Sequence, residues 1–228
     1  MWLINSSVGR KVVMSITGLA LILFLTFHMA MNAVAIFSEQ SYNLICDFLG
    51  ANWYALVATL GLAALFIIHI FYAAWLTLQN QKARGKEKYD VKDRNKKVEW
   101  SSQNMFVLGF VVVLGLGLHL FNFWYNMQFQ EILGNHSVVL GGSEYAVHDG
   151  AGLIKYTFSQ PLYVILYVVW LIALWLHLNH GFWSALQSIG WSNDVWFKRW
   201  KVISTVYTTL VVLGFGSVLV VFFVQSLM

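Results

Sequence analysis

One cysteine and one proline occur in 228 residues, and only 11% of the chain is charged. With Cys46 alone there is no internal disulfide, and no structural zinc site can be assembled from thiolates. No C-x-x-C-H motif is present for covalent c-type haem attachment. A soluble domain carries about 25% charged residues, so a substantial soluble module is excluded as well. Neither an internal sequence repeat nor a phosphate-cradling glycine motif is found. Nothing points to a nucleic-acid partner.

What is present is apolar residue, 59% of the chain, in long blocks with the charges in the gaps. A membrane helix needs about 20 such residues to cross a core of roughly 30 Å. Five stretches qualify: Val12–Phe37, Trp53–Gln79, Ser101–Tyr125, Pro161–Ser184 and Val202–Gln225. None has a charge in its middle, and Trp53, Trp100, Trp124, Tyr125 and Trp200 flank the ends as interfacial anchors. The expectation is an all-α integral membrane protein, a single five-helix transmembrane domain over residues 1–228.

The placement of Lys and Arg orients the bundle. Arg10 and Lys11 precede helix 1. Lys82, Arg84, Lys86, Lys88, Lys92, Arg94, Lys96 and Lys97 follow helix 2, and Lys198, Arg199 and Lys201 precede helix 5. Those 13 share one side, against Lys155 alone on the other, beside Glu39, Asp47, Glu131, Glu144 and Asp149. The N-terminus is expected inside and the C-terminus outside, with the inner face cytoplasmic in a bacterial inner membrane. The first span resembles a signal peptide at Ala33-Val34-Ala35, but its apolar run is too long for one. It is expected to be retained. The long third connection, around Met127–Phe158, is expected to form a small cap on the outer face.

Ionisable groups within a membrane are costly and usually face a bundle interior. His136 and His148 fall in the third connection and read as exposed polar residues. The others are His28, His69 and His119 in helices 1 to 3, with His177 and His180 in helix 4. His28 lies about 25 Å beyond Lys11 at 1.5 Å per residue, in the outer half. His119, on a helix running the same way, is also in the outer half. His69 and His177, on helices running oppositely, fall in the inner half. The spacing therefore predicts two pairs: His28 with His119, and His69 with His177, on the order of 10 Å apart along the normal. Two histidines at one depth can ligate one haem iron axially. Neutral imidazole is the ligating form, which removes the cost of a buried charge.

His180 is open to three readings: bonding a haem propionate, bonding the backbone, or ligating in place of His177. Ser15-Ile16-Thr17-Gly18, Gly61, Gly115, Gly117 and Gly181 allow a flat macrocycle to approach, but ordinary helix packing explains small residues equally well. A transporter would be expected to show intramembrane acids, broken helices or inverted repeats. None is evident.

At these residues the chain resembles the cytochrome b membrane subunit of succinate dehydrogenases and fumarate reductases, of the single-chain, five-helix, dihaem class. The resemblance rests on Ser15–Asn32 (SITGLALILFLTFHMAMN), His69–Leu76 (HIFYAAWL), Leu118-His119 before an aromatic run, and His177–Gly190 (HLNHGFWSALQSIG). It covers nearly the whole chain. It implies two haem b with the same ligands, His28 and His119 for the outer and His69 and His177 for the inner. It implies flavoprotein and iron–sulfur partners on the inner side, with electrons passing to a membrane quinone, commonly menaquinone, toward the outer side. Dicarboxylate chemistry would belong to those partners and not to this chain. Polar and aromatic candidates for the quinone site are Asn32, Tyr42, Asn122, Trp124 and Tyr125. Some relatives carry an acid in helix 4 near the ligand. Here Trp170–Leu176 has none, with Trp175 near that place, which counts against haem-linked proton transfer. The basic stretch Lys82–Lys97 is a candidate docking surface, although the positive-inside rule alone accounts for its charge. The rivals are the cytochrome b subunit of a hydrogenase or formate dehydrogenase, and a non-haem transporter.

Overall fold

A computed structural model describes residues 6–84 and 99–228. Most of the basic stretch (Lys86, Lys88, Lys92, Arg94, Lys96 and Lys97) lies outside the described residues. Among the described residues, five helices are long and apolar enough to cross a membrane: Ser7–Phe37, Trp53–Ala83, Met105–Ile132, Pro161–Ser188 and Asp194–Gln225.

In chain order, α1 is Ser7–Phe37, α2 Glu39–Phe48, α3 Trp53–Arg84, α4 Trp100–Gln103 and α5 Met105–His119. A π-helical stretch, Leu120–Phe129, continues α5 into α6, Gln130–Ile132. Strands β1 (Ser137–Leu140) and β2 (Ser143–Ala146) follow, then α7 (Gly150–Phe158), α8 (Pro161–Ser188) and α9 (Asp194–Gln225). Successive spans alternate in direction. The starts of α1 and α9 and the end of α3 therefore share one end of the bundle, the basic end. Helix α2, the hairpin and α7 lie at the other, the loop end.

The helices run past the apolar stretches at the basic end. Helix α1 starts at Ser7 instead of 12, α3 reaches Arg84 instead of 79, α8 reaches Ser188 instead of 184, and α9 starts at Asp194 instead of 202. Hydrophobicity marks only the lipid-facing length, whereas caps decide where a helix begins. Ser6 Oγ accepts from the Gly9 amide at 2.9 Å, and Asn193 Oδ1 accepts from Val195 and Trp196 at 3.1 and 2.9 Å. Such caps are worth about 1 kcal/mol each. Pro161, which needs no helical donor, opens α8. Gly190, at φ +87, ends the turn after it. The third span instead starts later than expected, at Met105, because the chain breaks at Asn104 after the single turn of α4.

The third connection is shorter than expected, because helix continues to Ile132. It holds a hairpin and a short helix. Gly141 and Gly142, both at positive φ, make the two-residue hairpin turn between β1 and β2. Asp149 caps α7, its Oδ1 accepting from Gly152 at 3.0 Å and from Asn43 Nδ2 of α2 at 2.7 Å. Helix α7 then buries Ala151, Leu153, Ile154 and Phe158 against the bundle. The larger core cluster therefore sits at the loop end, where Ala35, Tyr42, Ile154, Phe158, Tyr167, Leu219 and Phe222 meet.

Within the membrane-length part, α1 packs on α3 and α8, and α5 packs on α8. Helices α3 and α5 barely touch. The four form a square in the order α3, α1, α8, α5, closed on three sides, with α9 lodged against α1 and α8.

Candidate functional site

The square gives the four predicted histidines their relationship. Helices α1 and α5 occupy one diagonal and α3 and α8 the other. His28 and His119 meet across the first, with ring centres 5.7 Å apart and planes at 86°. His69 and His177 meet across the second, at 6.4 Å and 74°. These are the two pairs that the spacing predicts.

The distances bear on chemistry. A metal–imidazole bond is about 2 Å and a ring nitrogen about 1.1 Å from its ring centre, so two imidazoles sharing one metal from opposite sides would have centres about 6.2 Å apart. The 6.4 Å pair matches this, and the 5.7 Å pair is slightly tighter. Among the described residues no group of three or more His, Cys, Asp or Glu converges on a point. The pair, and not a cluster, is the unit on offer.

Two of the buried polar atoms without a partner lie here. His119 Nδ1 and His177 Nδ1 are buried with no hydrogen-bond partner. An orphaned buried group costs about 1–3 kcal/mol, so each asks for an explanation. His69 Nδ1 has a partner, Thr17 Oγ1 at 3.2 Å. His28 has the Asn32 amide at 3.5 Å from both ring nitrogens, while that amide's firm bond is to the His28 carbonyl at 2.8 Å. Aromatic rings wall the outer pair. Phe24 stacks on His28 at 5.4 Å, and Phe123 and Trp170 lie 5.2 and 5.6 Å from His119.

Glycines hold the inner pair's rings. A Cβ at Gly18 of α1 would lie 3.2 Å from His69 Cε1, and one at Gly109 of α5 would lie 3.5 Å from His177 Cε1. Each glycine precedes the histidine of its own helix, His28 or His119, by ten residues. The α1–α3 and α5–α8 pairs thus repeat one arrangement, although no repeat is visible in the sequence at large. The other small residues divide. Gly115 makes room for the Trp170 indole and Gly181 faces Met105, which is helix packing. Gly61 and Gly117 face nothing within 4 Å. Ser15 bonds back to the Lys11 carbonyl.

His180 faces away from the inner pair. Its ring stands on Trp183 at 4.8 Å, and its Nδ1 is 3.6 Å from Glu99 Oε2, too far for a hydrogen bond. Lys201 Nζ pairs with Glu99 Oε1 at 2.6 Å. Partial burial works against the Glu99 carboxylate, but Lys201 and His180 outweigh it and hold its pKa below the usual value. The ring that meets His69 is therefore that of His177. His136 and His148 are exposed, as expected. Trp175 donates to Thr209 Oγ1 of α9 at 2.9 Å.

The five quinone-site candidates separate into two kinds. Tyr42 is buried and donates to Asn32 Oδ1 at 2.9 Å, linking α2 to the residue one turn beyond His28. Burial, and then Cys46 beside it, raises the Tyr42 hydroxyl's pKa. Asn122 is buried and donates to Tyr167 Oη at 3.3 Å, and the Tyr167 ring lies 6.3 Å from His119. Trp124 and Tyr125 reach neither pair. Trp124 Nε1 donates to Gln128, and Tyr125, 41% exposed, stacks between Phe121 and Phe129.

Gly109 and Tyr167 are further neighbours of the site, whereas Thr17 is expected only as one of the small residues before His28 and Trp170 only as the edge of the acid-free stretch Trp170–Leu176. Only Gly109 left a signal, its offset from His119. The π-helical stretch starting one residue after His119 left none. Compared with known proteins, the chain matches no family model, no curated protein and no solved structure.

Proposed function

We propose that this chain is the membrane anchor and electron-transfer subunit of a succinate:quinone oxidoreductase, holding two b haems between its paired histidines. The observation that carries the reading is the pair of diagonals, each joining two spans that run the same way, with imidazole centres 5.7 and 6.4 Å apart. His28 and His119 would hold one haem toward the loop end, and His69 and His177 the other toward the basic end. When bound, each haem supplies a one-electron iron couple tuned by its ligands and surroundings. The orphaned imidazole nitrogens and the glycine-backed rings support the fit.

The chain's own residues do the rest. Helices α1, α3, α5 and α8 fix ligand spacing, and the aromatic walls keep water from the outer pair. Asn32 with Tyr42, and Asn122 with Tyr167, offer hydrogen bonds to a quinone, menaquinone in this class, near the loop end. By the positive-inside rule the basic end faces the cytoplasm of a bacterial inner membrane, where iron–sulfur and flavoprotein subunits would dock.

Haem content and a reduced-minus-oxidised visible spectrum of the purified protein test this. Two b-type haems per chain, with co-purification of a covalent-flavin subunit, are expected. Haem with hydrogenase or formate dehydrogenase subunits would move the chain to another respiratory enzyme. A folded, colourless protein would leave the transporter reading.

A further inference from the structure

We propose that Thr17 is a positioning residue that fixes the tautomer of His69 and so tunes its electron donation. Thr17 is buried in α1, 5% exposed, and its Oγ1 lies 3.2 Å from His69 Nδ1. A hydroxyl has one hydrogen to give. Thr17 gives it to its own helix, where Oγ1 is 2.9 Å from the Val13 carbonyl and 3.0 Å from that of Met14. Toward His69 it can only accept. Nδ1 must then carry the ring proton, and Nε2 carries the lone pair, free for a metal.

The arrangement is one-sided. Gly18, next to Thr17, lets the His69 ring lie against α1, and Gly109 does the same for His177 on α5. The residue before Gly109 is Leu108, which offers no acceptor, and His177 Nδ1 is left without a partner. One ligand of the inner pair is thus supported by a second hydrogen-bonding layer and the other is not. An N–H acceptor behind a metal-bound imidazole raises its basicity and stabilises the oxidised metal.

This rests on the haem reading above. The test is a spectroelectrochemical titration of the assembled, membrane-bound complex. Thr17→Val is expected to keep both haems and to shift upward the midpoint of the component that His69→Ala abolishes. The other midpoint stays, and Thr17→Ser returns the first to its original value. Two haems with unmoved midpoints in Thr17→Val, a shift confined to the other component, or an equal shift in Thr17→Ser would overturn the proposal. Should Thr17→Val fail to assemble, Thr17→Ser and Thr17→Ala differ by the hydroxyl alone, and coincident midpoints in those two would overturn it equally. A colourless parent protein would defeat the haem reading instead.

Discussion

His69 and His177 face each other across a diagonal of the bundle, ring centres 6.4 Å apart and planes 74° from parallel. The outer pair is still closer to perpendicular, at 86°. If each pair ligates a haem iron as proposed, near-perpendicular imidazole planes would leave the iron orbitals that receive their π density nearly equal in energy. The ferric protein would then be expected to give highly anisotropic low-spin EPR signals, each with a single strong low-field feature. A rhombic three-line signal from either would mean that the planes rotate toward parallel.

The glycines behind the inner rings differ in slack. A Cβ at Gly18 would stand 3.2 Å from the His69 ring, closer than ordinary contact, while one at Gly109 would stand 3.5 Å from His177. Ala is favoured over Gly in a helix by about 1 kcal/mol. Gly109→Ala should therefore be neutral or stabilising and keep normal haem content. Gly18→Ala should displace the His69 ring and lower occupancy or shift the spectrum of the inner component alone. Thermal denaturation and haem quantification check both.

The loop-end polar groups predict a division among the aromatic residues. Tyr42→Phe leaves Asn32 Oδ1 without its donor, a cost of about 1–3 kcal/mol if that oxygen stays buried. It should reduce quinone turnover several-fold with haem content intact, and Tyr167→Phe should do likewise. Tyr125→Phe, on an exposed face, should leave turnover unchanged. Equal loss in all three would remove the distinction.

Cys46 sits in α2 beside Tyr42, and burial pushes its thiol up to about 11. Only the thiolate reacts with alkylating reagents, so labelling of the folded protein should be slow at pH 7. It should accelerate about tenfold per pH unit toward that value. Fast labelling at neutral pH would mean that α2 does not pack on the bundle as described.

The spans were legible because lipid demands long apolar runs. The histidine pairs were legible because a helix converts residue count into depth, so His28 and His69, at similar distances from opposite ends, fall in different tiers. Three features were not. Helix ends past the apolar runs depend on the caps at Ser6 and Asn193, which hydropathy does not register. Tyr42 and Asn32 meet because the chain turns back at Ser38, a tertiary relationship that no spacing encodes. The role of Thr17 needs its hydroxyl to face another helix, and only the rotation of α1 about its axis decides that.

The most direct measurement is haem content and the difference spectrum of single alanine variants at the five buried or half-buried histidines. His28→Ala and His119→Ala should abolish the same spectral component. His69→Ala and His177→Ala should abolish the other, and His180→Ala should keep both. Loss of one component by His28→Ala and of the other by His119→Ala, or retention of both haems in all four ligand variants, would contradict the two-diagonal arrangement.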